Sequence, residues 1–403
     1  MNASVLLLLV TPLLALLACT SRGALPAQPP ITLTTTRTGA WIATATRPTV
    51  TGTRSHPPTE LPTPTFTSTV LPPPPTTAPT PPTATVASPP LLLAPDTVQR
   101  LKEIGKLSVA GALPINDFAW TPDGAYLVLA VPSETGEHSP RLTWYEARTI
   151  SPVVPPDEMQ GSRVLFSPDG QFMAVARSGL GEDRLEVRRA GDGRPVQTVA
   201  GFFYGIHALA FSPDSRLLAM ANGNATVRLV EVKSGLVLHE LNVPYEGVHA
   251  PLVQDVAFSP DGELVAGAAY GGTVQVWRSA DGSSVTTVQT GKVQPNAVVV
   301  LDSERFVTTG FPLARVWRID GTVETELEGQ ESPLDLALSP DGRLLVTVER
   351  FYVLFWDVSR RRLVHRVESE APLRSVRFSP DGSRLALIGE NKIWIWGTAM
   401  PNS

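Results

Sequence analysis

One four-residue turn, repeated at nearly constant spacing, restricts what this chain can fold into. It reads Thr121-Pro122-Asp123-Gly124, Ser167-Pro168-Asp169-Gly170, Ser212-Pro213-Asp214-Ser215, Ser259-Pro260-Asp261-Gly262, Ser339-Pro340-Asp341-Gly342 and Ser379-Pro380-Asp381-Gly382. Proline presets φ at the second position, Asp tolerates the bridge region at the third, and Gly enters the left-handed region at the fourth, so the chain can turn back. An apolar run precedes each turn and another follows it, the pattern of an antiparallel hairpin. A degenerate seventh copy, in NAVVVLDSERFVTT, keeps Asp302 and loses the Pro and Gly. The successive Asp-to-Asp spacings are then 46, 45, 47, 41, 39 and 40 residues.

The most complete copy, Val253 to Trp277, shows what each repeat contains. Val253, Val256 and Phe258 lie in the run before the turn, Leu264 to Ala268 forms a second run, and Thr273 to Trp277 a third after Tyr270-Gly271-Gly272. A fourth strand is expected near Ser284 to Gln289. Four short strands recurring at this period are one propeller blade, and seven copies make seven blades. On the repeated FSPDG-type turn and the period, the chain from about Asp96 to its C-terminus resembles the WD-repeat β-propeller family. The resemblance implies an all-β, seven-bladed propeller of four-stranded antiparallel blades. The dipeptide that names the family survives only at Trp356-Asp357; elsewhere its place is taken by Tyr145-Glu146, Arg188-Arg189, Val230-Glu231, Trp277-Arg278, Trp317-Arg318 and Trp396-Gly397. Of the family's His-Ser-Asp-Trp network, His249 and Trp277 are in place in the fourth repeat, with Ala269 assigned to the Ser position. The blades are therefore expected to hold by apolar packing more than by polar networks.

The seventh repeat supplies three strands, Leu373 to Phe378, Arg384 to Ile388 and Lys392 to Trp396, before the sequence stops. A fourth is expected from about Lys102 to Val109, ahead of the first repeat, so that the two ends of the domain pair and close the ring.

The N-terminal quarter is different in kind. Residues 1–18 form an apolar run ending in Leu16-Leu17-Ala18, and Cys19 follows as the only cysteine of the chain. Small residues before a Cys at the end of a short hydrophobic stretch resemble a bacterial lipobox, which implies cleavage before Cys19 and lipid on its sulfur. Residues 19–95 then read as the lipidated Cys and a disordered Thr/Pro-rich tether, holding about half of the 39 prolines, with residues 96–403 as the propeller. The expected location is extracytoplasmic, anchored to the cell membrane as a lipoprotein.

Charge and motifs narrow the function. Before residue 96 the charged side chains are Arg22, Arg37, Arg47, Arg54 and Glu60, about +3, so the total of −5 leaves the propeller near −8. No basic stripe with interleaved aromatics is present, which disfavours nucleic acid as a partner. Arg360-Arg361-Arg362, the one basic run, is expected at a solvated hairpin tip of the sixth blade. The six His residues are scattered, no thiolate or HExxH pattern suggests a metal, and no GxSxG or phosphate-binding glycine loop occurs; no catalytic residue, metal or cofactor is assigned. The reading is a non-catalytic, monomeric interaction or scaffold module with a protein partner; the alternative is a propeller hydrolase or sugar-processing enzyme with a site at the central channel. In propellers of the family, the connections from fourth to first and from second to third strand share one face, opposite the SPDG turns. On that face the expected partner-binding residues are Phe202, Phe203, Tyr204, Tyr245, His249 and Tyr270, because large amphipathic rings anchor interfaces.

Overall fold

The structure, a computed structural model, describes residues 92–109, 114–132, 140–155, 159–177, 183–202, 205–245, 251–291 and 294–398. Cys19 and most of the Thr/Pro-rich segment lie outside the described residues. The rest is a seven-bladed, all-β propeller whose blades are each a four-stranded antiparallel sheet. Blade 4, Val253–Phe258, Leu264–Ala269, Thr273–Arg278 and Ser284–Gln289, follows the unit read from the sequence, innermost strand first.

The inner three strands bury their side chains because adjacent blades pack face to face. Leu264–Ala269 is buried at every position, a continuous apolar run of the kind expected where both sheet faces are covered, whereas the outer strand Ser284–Gln289 is largely exposed. The hydrophobic core is accordingly divided into seven clusters, each in the crevice between two neighbouring blades.

The recurrent turn owes its strength to a network that its glycine does not reveal. In all six copies the leading Ser or Thr hydroxyl donates to the Asp carboxylate at 2.5–2.6 Å. The same carboxylate oxygen accepts the backbone N–H two residues on, at 2.9–3.1 Å. The hydroxyl in turn accepts the N–H that opens the second strand. Donation by Ser259 and Ser212 holds the carboxyls of Asp261 and Asp214 below their ordinary range. Gly262 adopts φ +77, as the turn requires; Ser215, which replaces Gly in blade 3, has φ +61. Its hydroxyl accepts the N–H of Asp169 in the preceding blade's turn at 3.0 Å, a contact that glycine could not make. In the degenerate fifth copy Arg305 grips Asp302 through Nε and Nη2 at 3.0 and 2.7 Å, compensating for the lost Pro and Gly.

Polar networks also hold two blades more firmly than the sequence suggests. In blade 6 the Trp356 indole donates to Thr347, whose hydroxyl donates to Gln330, with both bonds buried at 3.0 Å. Blade 5 has the shorter form, Trp317 to Thr308 at 2.9 Å. The strand register puts Gly267, not Ala269, in the equivalent place of blade 4, and the Trp277 ring lies within 3.2 Å of where a Gly267 Cβ would stand. Ala269 was the wrong position because it pairs with Thr273 at the far end of the hairpin.

The ring closes as its open seventh blade requires. Leu101–Ser108 pairs antiparallel with Lys392–Thr398, from Leu101 opposite Thr398 to Ser108 opposite Lys392. The packing begins earlier than Asp96: Leu93 donates its N–H to the Gly382 carbonyl, and Leu93 and Val98 are wholly buried against Leu344, Phe355, Trp394 and Trp396 of blades 6 and 7. Gly105 is needed on the closing strand, since a Cβ there would lie 2.5 Å from Ile150 Cδ1 of blade 1. Truncating the buried Leu93 side chain to Ala should cost about 2–5 kcal/mol in denaturant unfolding. Deleting 92–108 should instead expose the edge of blade 7 and lower the melting temperature strongly with aggregation, while deleting 20–91 should leave the melt near wild type; equal melts for the two deletions would refute closure by this segment.

Candidate functional site: the loop face and the channel

The two faces of the ring differ in what carries them. On the face of the SPDG turns, adjacent blades touch through those turns, as with Arg384 Nη2 donating to the Gly124 carbonyl at 2.7 Å. On the opposite face, the segments between second and third strands of blades 3, 4, 6 and 7 are tied to crossings between blades. Tyr270 donates its N–H to the Leu252 carbonyl, Ser369 to that of Phe351, Leu373 to that of Arg350, and Ile115 to that of Glu390. These bonds fix the connections as one continuous surface.

That surface exposes rings. Tyr245 and Tyr270, two of the expected partner-binding residues, are 47% and 49% exposed. Phe202 ends the outer strand of blade 2; its side chain, Phe203, Tyr204 and His249 lie outside the described residues. Two further rings belong to the set, Phe311 and Phe351, 67% and 40% exposed. Phe311 stands in blade 5 where Tyr270 stands in blade 4, first in the three-residue link between second and third strands, and Phe351 is third in the matching link of blade 6. Comparing these links rather than the crossings between blades would have found both.

The channel holds the titratable groups. One position of the innermost strand, three residues before the large residue that ends it, carries Asp117 in blade 1, Asp255 in blade 4 and Asp335 in blade 6. Each carboxylate reaches across a blade boundary to a backbone N–H of the next innermost strand: Asp117 to Val164 at 3.0 Å, Asp255 to Val298 at 2.9 Å, Asp335 to Val376 at 3.1 Å. Asp335 also accepts the Ser375 hydroxyl at 2.5 Å. Arg377, from blade 7, projects into the same channel, with its guanidinium 3.6 Å from Asp117 and over the Phe118 ring at 5.5 Å. The channel, about 1560 Å³, is closed around by the seven innermost strands. Above the carboxylates, a β-bulge in each of blades 3, 4, 5 and 7 turns His207, Gln254, Asn296 and Arg374 toward its mouth.

Burial pushes the Asp255 carboxyl up to about 7; the nearby Asp335 charge adds to the shift, while the Val298 N–H and Arg377 oppose it. A carboxyl with a raised folded-state pKa binds its proton more tightly folded than unfolded, so its stabilising contribution is full in acid and is lost as pH rises through about 7. Asp255→Asn keeps an oxygen for Val298 and removes the titration. Its denaturant midpoint should therefore fall less than that of wild type between mildly acidic and mildly alkaline buffers; parallel curves would show that Asp255 does not titrate in this range.

Comparison with known proteins agrees with this geometry. Residues 193–231 and 244–278 match the family model "WD domain, G-beta repeat". Each match ends on the third strand of a blade, at Glu231 and Arg278. The chain is similar to an uncharacterized WD repeat-containing protein of Synechocystis, 29% identical over 155 residues, 37% of this chain and 39% of that one. It is similar to Periodic tryptophan protein 2 of Arabidopsis thaliana, 26% over 205 residues, 48% and 22% of the two chains, and to COMPASS component SWD3 of Saccharomyces cerevisiae, 26% over 158 residues, 38% and 45%. The matched part thus spans less than half the length of each of these relatives. In sequence the stretches 193–231 and 244–278 match WD repeats, and they sit in a seven-bladed propeller of four-stranded blades.

Proposed function

We propose that this protein is a monomeric, non-catalytic interaction module, anchored outside the cytoplasm by lipid on Cys19 and presenting its loop face to a protein partner. The observation that carries the reading is the shared placement of Tyr245, Tyr270, Phe311 and Phe351, four exposed rings in the connections of one face, with the backbone tied to a crossing between blades at Tyr270 and Phe351. Rigid aromatic side chains bury much area at small entropic cost, which is why they recur as binding anchors. The entry of the chain supports the same orientation. Leu93 joins the ring at Gly382, in an SPDG turn, so the first described residues enter the propeller at the turn face, away from these rings.

The enzyme alternative, a hydrolase or sugar-processing site in the channel, draws on one observation, the Asp255 carboxyl near neutrality. Against it, the three channel carboxylates are engaged by N–H groups of the next blade and so serve the seams between blades.

Replacing Tyr204, Tyr245 and Tyr270 together with Ala should weaken capture of the partner from intact cells by about thirtyfold or more, since even one hot-spot truncation costs about 2 kcal/mol. Thermal stability should be nearly unchanged; unaltered capture, or a clear drop in melting temperature, would place these rings in the fold instead. Lipid attachment is tested separately. Cys19→Ser should abolish incorporation of a fatty-acid analogue, since acyl chains supply about 0.8 kcal/mol of anchoring per buried CH₂ that a polar tether lacks, and equal labelling of both proteins would exclude the anchor.

A further inference from the structure

We infer that the partner of the loop face is a basic polypeptide segment, one whose Lys or Arg side chains lie along the arc of blades 4 to 7. The inference rests on the interaction-module reading and adds the chemistry of what binds.

Two independent features of this arc attract the same kind of group. The first is charge. Among the described residues, the connections on this face carry Glu328, Glu331, Glu349, Glu370 and Glu390 against Arg350, with Lys106, Arg374 and Lys392 on the adjoining strands. Glu349 is buried and turns inward, where its carboxylate accepts the N–H groups of Glu331 and Ser332. It thereby fixes the crossing from blade 5 to blade 6 that holds Glu328 and Glu331 out to solvent. Glu370 shows what the surface accepts: it already binds a cation, Lys106 Nζ, at 2.9 Å.

The second feature is the rings. Tyr270, Phe311 and Phe351 occupy the links between second and third strands in three consecutive blades. Going around the ring, Phe311 is followed by Glu328 and Glu331, and Phe351 by Glu370 and Glu390. A cation is drawn to the face of an aromatic ring as well as to a carboxylate, and the aliphatic stem of Lys or Arg covers apolar surface while its head stays polar. The surface already satisfies one ring in this way, with the Arg350 guanidinium 5.5 Å from the centre of Phe351. An acidic segment, an anionic lipid surface or a nucleic acid is repelled by the same glutamates.

The test uses the full-length protein and a fluorescein-labelled peptide of repeating Arg, Leu and Ser, read by anisotropy, beside a copy with every Arg replaced by Glu. The basic peptide should bind, and its affinity should fall as salt is raised; the Glu copy should not bind. Phe311→Ala with Phe351→Ala should weaken binding about thirtyfold or more, the loss expected of even one hot-spot ring, and Glu328→Lys with Glu331→Lys should weaken the basic peptide while admitting the Glu copy. All four positions are solvent-facing, so an unchanged melting curve certifies the fold of each variant. Binding of the two peptides alike, no binding of the basic one, or indifference to both pairs of substitutions would overturn the inference. Binding that emerges only after Arg37, Arg47 and Arg54 are replaced by Ser would make the occupant the chain's own linker, and would likewise overturn an external partner. Loss of cellular capture in the tyrosine variant, with no binding of the basic peptide, would leave the interaction module standing and remove only the charge of its partner.

Discussion

No blade of this protein owns a hydrophobic core, and the rest of the structure follows from that. Each of the seven apolar clusters is assembled from the facing surfaces of two blades, so a blade without neighbours leaves Val265 and Trp277, or Leu345 and Trp356, facing water. Burial of such side chains is worth about 1.5–3 kcal/mol apiece, and here it is available only to the assembled ring. Closure is therefore a condition for every seam, including those farthest from the ends. The pairing of Leu101–Ser108 with Lys392–Thr398 meets that condition with backbone hydrogen bonds, and Leu93 and Val98 add apolar contact beside it.

Polar groups then set which blade sits where. The turn carboxylates act within a hairpin, whereas Asp117, Asp255 and Asp335 act between hairpins, each satisfying an N–H on the edge of the next innermost strand. An unpaired backbone N–H in such a place costs free energy, and a carboxylate meets it with a charge-assisted bond. Three seams are clasped this way, and Arg377 offsets part of the charge that the clasps bring into the channel.

The fold was legible because its punctuation is local. A turn that needs Pro for one dihedral angle and Gly for another must be spelled out in adjacent residues, and its spacing counts the blades. What was hidden depends on partners distant in sequence: Ser215 looks like a damaged glycine until Asp169 stands beside it, and Asp255 like an ordinary strand residue until Val298 does. The network of blade 6 escaped for a related reason, since Gln330 and Thr347 perform with other side chains the task that His and Ser perform in the family pattern. The loop face was half legible. Tyr245 precedes and Tyr270 lies within the most complete repeat, while Phe311 belongs to the repeat whose turn has eroded, and so lacked a frame to place it.

The seating of Leu93 has a mechanical consequence. A pull transmitted along the N-terminal chain arrives first at the Leu93 N–H bond to Gly382 and the buried side chains of Leu93 and Val98, and only afterwards at the closing strand. Leu93 and Val98 thus act as a strain relief, like the clamp that keeps tension on a cable from reaching its soldered joint. Load has to dislodge two apolar side chains from the crevice between blades 6 and 7 before it can begin to shear the seven-residue register of Leu101–Ser108 on Lys392–Thr398. The joint that every other seam relies on is in this way the last to feel a pull on the N-terminal chain.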